Sequence, residues 1–220
     1  MCTEHANKNG FSFILENTWR ASDMVITMAE EAHALGRKTH AVLVAVPAVV
    51  SQAGIAARFY EGIINRAEAR WVRPGYFDDT VNHMVENVNK VLSASVMDEV
   101  LITDRQGTIL YEGVPSPRAV EIFAENFNRT TLTELERSWV EHGLAVSVEG
   151  HEICTSRPVY KNAEQIEEAK LLIGRIQRSL KPKKQVELTT SINESVAAKI
   201  AARKTKGTPP PDRDKKHPSR

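Results

Sequence analysis

The segment Glu99-Val-Leu-Ile-Thr103 constrains the fold more than any other part of the chain. It is a short, apolar, β-branched run, and Asp104-Arg105-Gln106-Gly107 follows it at once. Asp at the first and Gly at the fourth position are the residue types a type I turn favours. Thr108-Ile-Leu-Tyr111 leads back, so residues 99–111 read as a β-hairpin. Gly107 closes the turn, where a positive φ is expected. Helical periodicity on both sides of this hairpin then points to an α+β fold.

Upstream, residues 11–37 read as a helix with Phe13, Ile14, Trp19, Met24, Ile26, Met28, Ala32 and Leu35 on a broad apolar face, ended at Gly36. Residues 1–10 are polar and are expected to be disordered. Ala41 to Val50 is either a buried strand or a helix kinked at Pro47, because periodicity does not separate the two. Gln52 to Trp71 reads as helix, Arg73-Pro74-Gly75 as a break, and Phe77 to Leu92 as another amphipathic helix. The elements before the break make a helical part over 11–72, and the helix from Phe77 opens a helix-hairpin-helix-strands-helix part over 77–181.

Downstream, Ser116-Pro117 is a helix start, with Ser as cap and Pro at the first helical position. Thr131-Leu-Thr-Glu134 is a capping-box pattern opening a shorter helix ended by Gly143. Leu144–Val148 and Ile153–Val159 read as strands. Asn162-Ala-Glu-Gln165 opens a last helix, on which Ile166, Ala169, Ile173, Ile176 and Leu180 are spaced three, four, three, four. That narrow seam suits one neighbouring helix, either of a second chain or of the chain's own core. Residues 11–181 are thus expected to form one domain.

Charge marks the end of that domain. Residues 181–220 hold 11 Lys/Arg against 4 Asp/Glu, although the whole chain of 220 residues has a formal net charge of +1. A mildly acidic body with a basic, flexible tail over 182–220 follows. The tail suits an acidic partner, nucleic acid or anionic lipid. No aromatic residue follows Tyr160, so nucleic-acid contact there would be to phosphates and sensitive to salt. No apolar stretch follows a basic start as in a secretory signal, and Ala41–Ala57 is interrupted by Pro47, Ser51, Gln52 and Gly54. A soluble, cytoplasmic chain is expected.

Catalytic signatures are sparse. Gly-x4-Gly-Lys-Ser/Thr, Gly-x-Gly-x-x-Gly, Gly-x-Ser-x-Gly and His-Glu-x-x-His do not occur. Two cysteines exclude a four-cysteine zinc site, and no metal-ligand spacing stands out. Cys154 near His142 and His151 is a conceivable nucleophile, with a buried inert thiol as the plainer reading. Asp78-Asp79 precedes a helix and Asp98-Glu99 precedes a strand, and both have structural explanations. No catalytic residue is assigned, no cofactor is specified, and the chain leans away from enzyme.

Asp98-Glu-Val-Leu-Ile-Thr-Asp-Arg-Gln-Gly-Thr-Ile-Leu-Tyr111 resembles the central hairpin of Cache-type sensor domains. Gly150-His-Glu-Ile-Cys-Thr-Ser-Arg-Pro-Val-Tyr160 resembles the strand leading to a Pro-containing bend in that family. The resemblance implies an antiparallel PAS-like sheet with long N-terminal helices and a C-terminal helix. It also implies a regulatory domain that binds a small ligand or partner protein and relays its state through 166–180, as a homodimer. Tyr111, Arg118, Arg157 and Tyr160 are then the candidate polar groups of a ligand pocket. A roadblock-like interaction adaptor over Thr80–Leu180 is the alternative, as is an enzyme using His142, His151 and Cys154.

Overall fold

The computed structural model describes residues 2–65, 69–156 and 163–181. Three strands form its sheet: β1 (His40–Val44), β2 (Glu99–Thr103) and β3 (Ile109–Gly113), in the order β1-β2-β3. The hairpin lies where the sequence places it, and Gly107 takes φ +86°. The surroundings of the hairpin differ. β1 runs parallel to β2, pairing His40 with Glu99 through to Val44 with Thr103. The sheet is therefore mixed and not the antiparallel PAS-like one. Two strands joined in parallel need a long crossover, and α3 (Ala48–Ile64) and α4 (Pro74–Ser93) supply it.

The ambiguous stretch 41–50 is both things in turn. Ala41 and Leu43 are buried in β1, and Pro47 then stands at the N-cap of α3 with φ −57°. Its missing N–H costs nothing there, because helix-start donors lack partners in any case. The helix expected over 11–37 covers only α2 (Ser22–Ala34), and Gly36 follows it at φ +70°. Residues 2–9, expected to be disordered, form α1 (Cys2–Asn9).

The sheet buries one face. Ala41, Leu43, Val100 and Ile102 pack against Val88 and Leu92 of α4 and against Ala119 and Phe123 of α5 (Pro117–Phe127). α5 begins as its sequence demands, with the Ser116 hydroxyl accepting from the Ala119 N–H at 3.3 Å.

The second layer is helical. α6 (Glu134–Ser156) is continuous through the positions expected to be strands at 144–148 and 153–156; 157–159 lie outside the described residues. Gly143 and Gly150 are seven apart, so they share one face of α6. A Cβ at Gly143 would come 3.0 Å from the Ala53 carbonyl oxygen, and one at Gly150 would come 2.5 Å from Tyr60 Cβ. Gly143, which looks like a helix stop, and Gly150, which looks like a link between two strands, are positions where α3 and α6 touch. Packing on α3 overrides the β-propensity of Leu-Ala-Val-Ser-Val. The cap also sits two residues later than the pattern suggests. Thr133 N–H donates to Glu136 Oε2 at 2.8 Å, and Glu136 N–H donates to Thr133 Oγ1 at 3.2 Å.

The last helix, α7 (Ala163–Leu180), packs on α3 and α6. Ile166, Ala169, Ile173 and Ile176 are buried within the chain itself, and Leu180 packs beside them. The three-four seam is filled by the chain's own helices. The basic tail lies outside the described residues. Among the described residues, no helix is long and apolar enough to cross a membrane.

Candidate functional site

The two ends of the parallel pair differ in how they are finished. At the amino end, Asp98 Oδ2 accepts from the Thr39 N–H at 2.7 Å, from the Thr39 hydroxyl at 3.2 Å and lies 3.1 Å from His33 Nε2. The Thr39 hydroxyl also reaches the Val96 carbonyl at 2.7 Å. The Thr39 N–H, with help from His33, holds the Asp98 carboxyl below the usual carboxylate range. Thr39, Asp98 and His33 bind one another across the entries to the two strands, so the clip's work is to hold β1 against β2.

The carboxyl end is open. Pairing runs one residue past the strands, with the Ala45 N–H on the Thr103 carbonyl at 2.8 Å. β1 then enters Pro47 and α3, while β2 enters the turn at Asp104. Asp104 is turned inward: its Oδ1 accepts from the Gln106 N–H at 2.8 Å and the Thr108 N–H at 2.9 Å. Burial pushes its carboxyl upward, but the hydrogen bonds from Thr108, Gln106 and Gly107 outweigh that and hold it low. The next residue, Arg105, points outward and is exposed.

Three elements meet around that side chain. The Arg105 guanidinium lies 5.6 Å from the centre of the Trp139 ring of α6. Its terminal nitrogen is 3.8 Å from where a Cβ on Gly54 of α3 would sit. Arg58 Nε donates to the Gly54 carbonyl at 3.1 Å, so a second guanidinium is held at the same glycine. The start of α3 faces this end of the sheet without a side-chain cap; the Val50 N–H donates to the Pro47 carbonyl at 3.0 Å, and the N–H groups of Ala48 and Val49 before it have no intrahelical acceptor. Two guanidinium groups near one another attract oxyanions, and phosphate oxygens match the fork of an Arg. In α/β sheets, the carboxyl ends of parallel strands are also where ligands bind.

The residues expected from the sequence lie elsewhere. The Tyr111 hydroxyl donates to the Val114 carbonyl at 2.6 Å and sits 3.0 Å from Ser116 Oγ, bracing the link from β3 to α5. Arg118 is paired with Glu121 at 3.1 Å on the surface of α5. Arg157 and Tyr160 lie outside the described residues. His142 and His151 are nine residues apart on α6, about two and a half turns. His151 Nδ1 meets the Tyr60 hydroxyl at 3.0 Å, and burial pushes the Cys154 thiol up, away from a reactive thiolate. Burial likewise lifts the Tyr60 phenol well above its ordinary range. No metal-binding group of His, Cys, Asp or Glu forms among the described residues.

A cleft of about 490 Å³ lies between the start of α4 and α7, lined by Arg73, Tyr76, Leu171 and Arg175 among others. Two of its charges are engaged: Arg175 pairs with Asp78 at 2.9 Å, and Glu168 accepts from Trp71 Nε1 at 2.6 Å. The carboxyl edge is the stronger candidate because its two guanidinium groups have no carboxylate partner within 4 Å among the described residues. Sequence reasoning missed Arg58, Arg105 and Trp139. The available signal was the place of Arg105, two residues past the first strand of the hairpin, and it carries meaning only once β1 is known to run parallel.

A family model described as Zeta toxin matches residues 1–114. No curated protein matches the chain. Among solved structures, the chain is similar to one from the PezAT chromosomal toxin–antitoxin system of the human pathogen Streptococcus pneumoniae. The TM-score is 0.57 at 20% identity, over 68% of this chain and 61% of that one. The chain thus spans about three fifths of the solved chain it matches. These matches overturn the resemblance to Cache-type sensor domains, and with it the sensory, signal-transducing reading.

Proposed function

We propose, from the premise that this chain belongs to the Zeta toxin family, that its carboxyl edge binds the phosphate groups of a ligand in a group-transfer reaction. The observation that carries the reading is that Arg58 and Arg105 both approach Gly54, the seventh residue of α3. Both side chains are donors only, and neither has a usable proton to give or take near neutral pH. Their part is to hold and neutralise charge, which is most of what phosphoryl transfer asks of a protein. Asp104 is already engaged by backbone donors, so it serves as the frame of the turn and not as a base. No Gly-x4-Gly-Lys-Ser/Thr segment occurs in the 220 residues. Among the described residues, this pair of arginines offers an anion grip that needs no such segment. The solved neighbour belongs to a toxin–antitoxin system, which supports a protein antitoxin as partner.

Titration of the chain with inorganic triphosphate and with a nucleoside triphosphate, followed by calorimetry, tests the site. Arg105→Ala should weaken binding by about tenfold or more, the equivalent of one charge-assisted hydrogen bond. Its melting temperature should stay unchanged, because the side chain is exposed. Equal affinity in Arg105→Ala and wild type would place the phosphate elsewhere.

A further inference from the structure

We propose that Trp139 is the positioning residue for Arg105: its ring holds the guanidinium at the carboxyl edge without taking up the donors or the charge that an oxyanion needs. The inference deepens the phosphate-binding reading and rests on it.

Arginines are held in two ways in this chain. Arg118, Arg129 and Arg175 each meet a carboxylate, at 3.1, 2.8 and 2.9 Å. Such a pair offsets the charge and occupies N–H donors. Arg105 instead lies over the Trp139 ring, 5.6 Å from its centre, with no carboxylate within 4 Å among the described residues. A cation over an aromatic face is attracted by the quadrupole of the ring. That attraction uses the charge alone, so the five N–H donors of the guanidinium stay available. An exposed arginine also has many rotamers to lose when it grips an anion. A ring that already holds the side chain reduces that loss, which is the gain from preorganisation.

The ring is itself fixed. Trp139 is half-buried on α6 and packs against the cluster that contains Val50 and Ala53 of α3. Three residues before it, Glu136 is buried, bonded to Arg129 through both oxygens and accepting from the Thr133 N–H. Four residues after it, Gly143 admits the Ala53 backbone at close range. Residues three and four apart share one helix face, so the ring stands between two anchored turns of α6. Arg105 reaches it from the hairpin turn of the sheet. The arrangement ties the helical layer to the anion grip through one side chain. A leucine in place of Trp139 would fill part of the volume without a quadrupole, and a phenylalanine would keep a weaker one.

Calorimetric titration of the full chain with inorganic triphosphate, over a double-mutant cycle, tests the role. Trp139→Leu should weaken binding by about two- to fivefold, the worth of an exposed cation–π contact. Trp139→Phe should restore most of that loss. In an Arg105→Ala background, Trp139→Leu should cause no further loss. An equal loss in both backgrounds would overturn the proposal, because the ring would then act on the ligand or on the fold and not through Arg105. So would full affinity in Trp139→Leu. A second readout needs no ligand. In heteronuclear NMR of the indole N–H groups, the Trp139 signal is identified by its loss in Trp139→Phe. Arg105→Ala should move that signal and leave those of Trp19 and Trp71 in place. An unmoved Trp139 signal would overturn the proposal whether or not triphosphate binds. A moved signal in a chain that binds no triphosphate would overturn the phosphate-binding reading, and the role of Trp139 with it, while the contact between the two side chains stands.

Discussion

The two layers of the molecule bury their apolar residues in different ways. In the helical layer, α6 brings its two glycines onto α3, and α7 closes over both. In the sheet layer, α4 and α5 cover one face, while Val42 and Val44 remain open on the other. The helical layer is finished within the chain, and the sheet is not. Close helix contact needs specific small residues and tolerates little change, whereas an open sheet face tolerates substitution until something binds it.

The largest effect should come at the charged clamp on α6. Glu136 is buried, and both its oxygens meet Arg129, at 2.8 and 3.0 Å. Glu136→Ala strands the guanidinium and should cost about 3–4 kcal/mol, measured by urea unfolding. Burial pushes the Glu136 carboxyl up, but Arg129 and Thr133 outweigh it and hold the value low. A depressed folded value means that the pair contributes fully above the unfolded value, about 4.3, and is lost as pH falls through the folded one. Wild type should therefore lose stability below about pH 4 more steeply than Glu136→Ala does.

Gly150→Val comes next. The new Cβ would sit 2.5 Å from Tyr60 Cβ and 2.8 Å from Cγ, at the root of a buried ring that has little room to move. A cost of about 2–3 kcal/mol is expected, or roughly 4–12 °C in melting temperature for a domain of this size. An unchanged melt would mean that α3 and α6 slide apart easily, and the contrast between the layers would fail.

Changes in the sheet should be milder. Gly107 holds φ +86° with open space around its Cα, so Gly107→Val strains the backbone without a clash, at about 1–2 kcal/mol. Val42→Lys should shift stability by less than about 0.5 kcal/mol, because the side chain already faces solvent. A large loss at Val42 would show the open face to be covered within the chain.

Local chemistry in the sequence determined the hairpin, the Ser116 cap, the glycine after α2 and the helical face of 166–180. Each depends on a few adjacent residues: a turn Asp, a hydroxyl before a Pro, a left-handed Gly, a repeated apolar spacing. Tertiary contact decided the rest. Leu144–Val148 carries a strand's composition, yet it is helical because Gly143 and Gly150 admit α3 at close range. The 166–180 seam shows that it needs a neighbour but not which one, and α3 with α6 fill that role. The parallel sense of β1 is invisible locally, because a short apolar run pairs equally well in either direction. That one pairing sets Arg105 beside Gly54 of α3, which is why Arg58, Arg105 and Trp139 could not be picked out as a site before the strands were seen side by side.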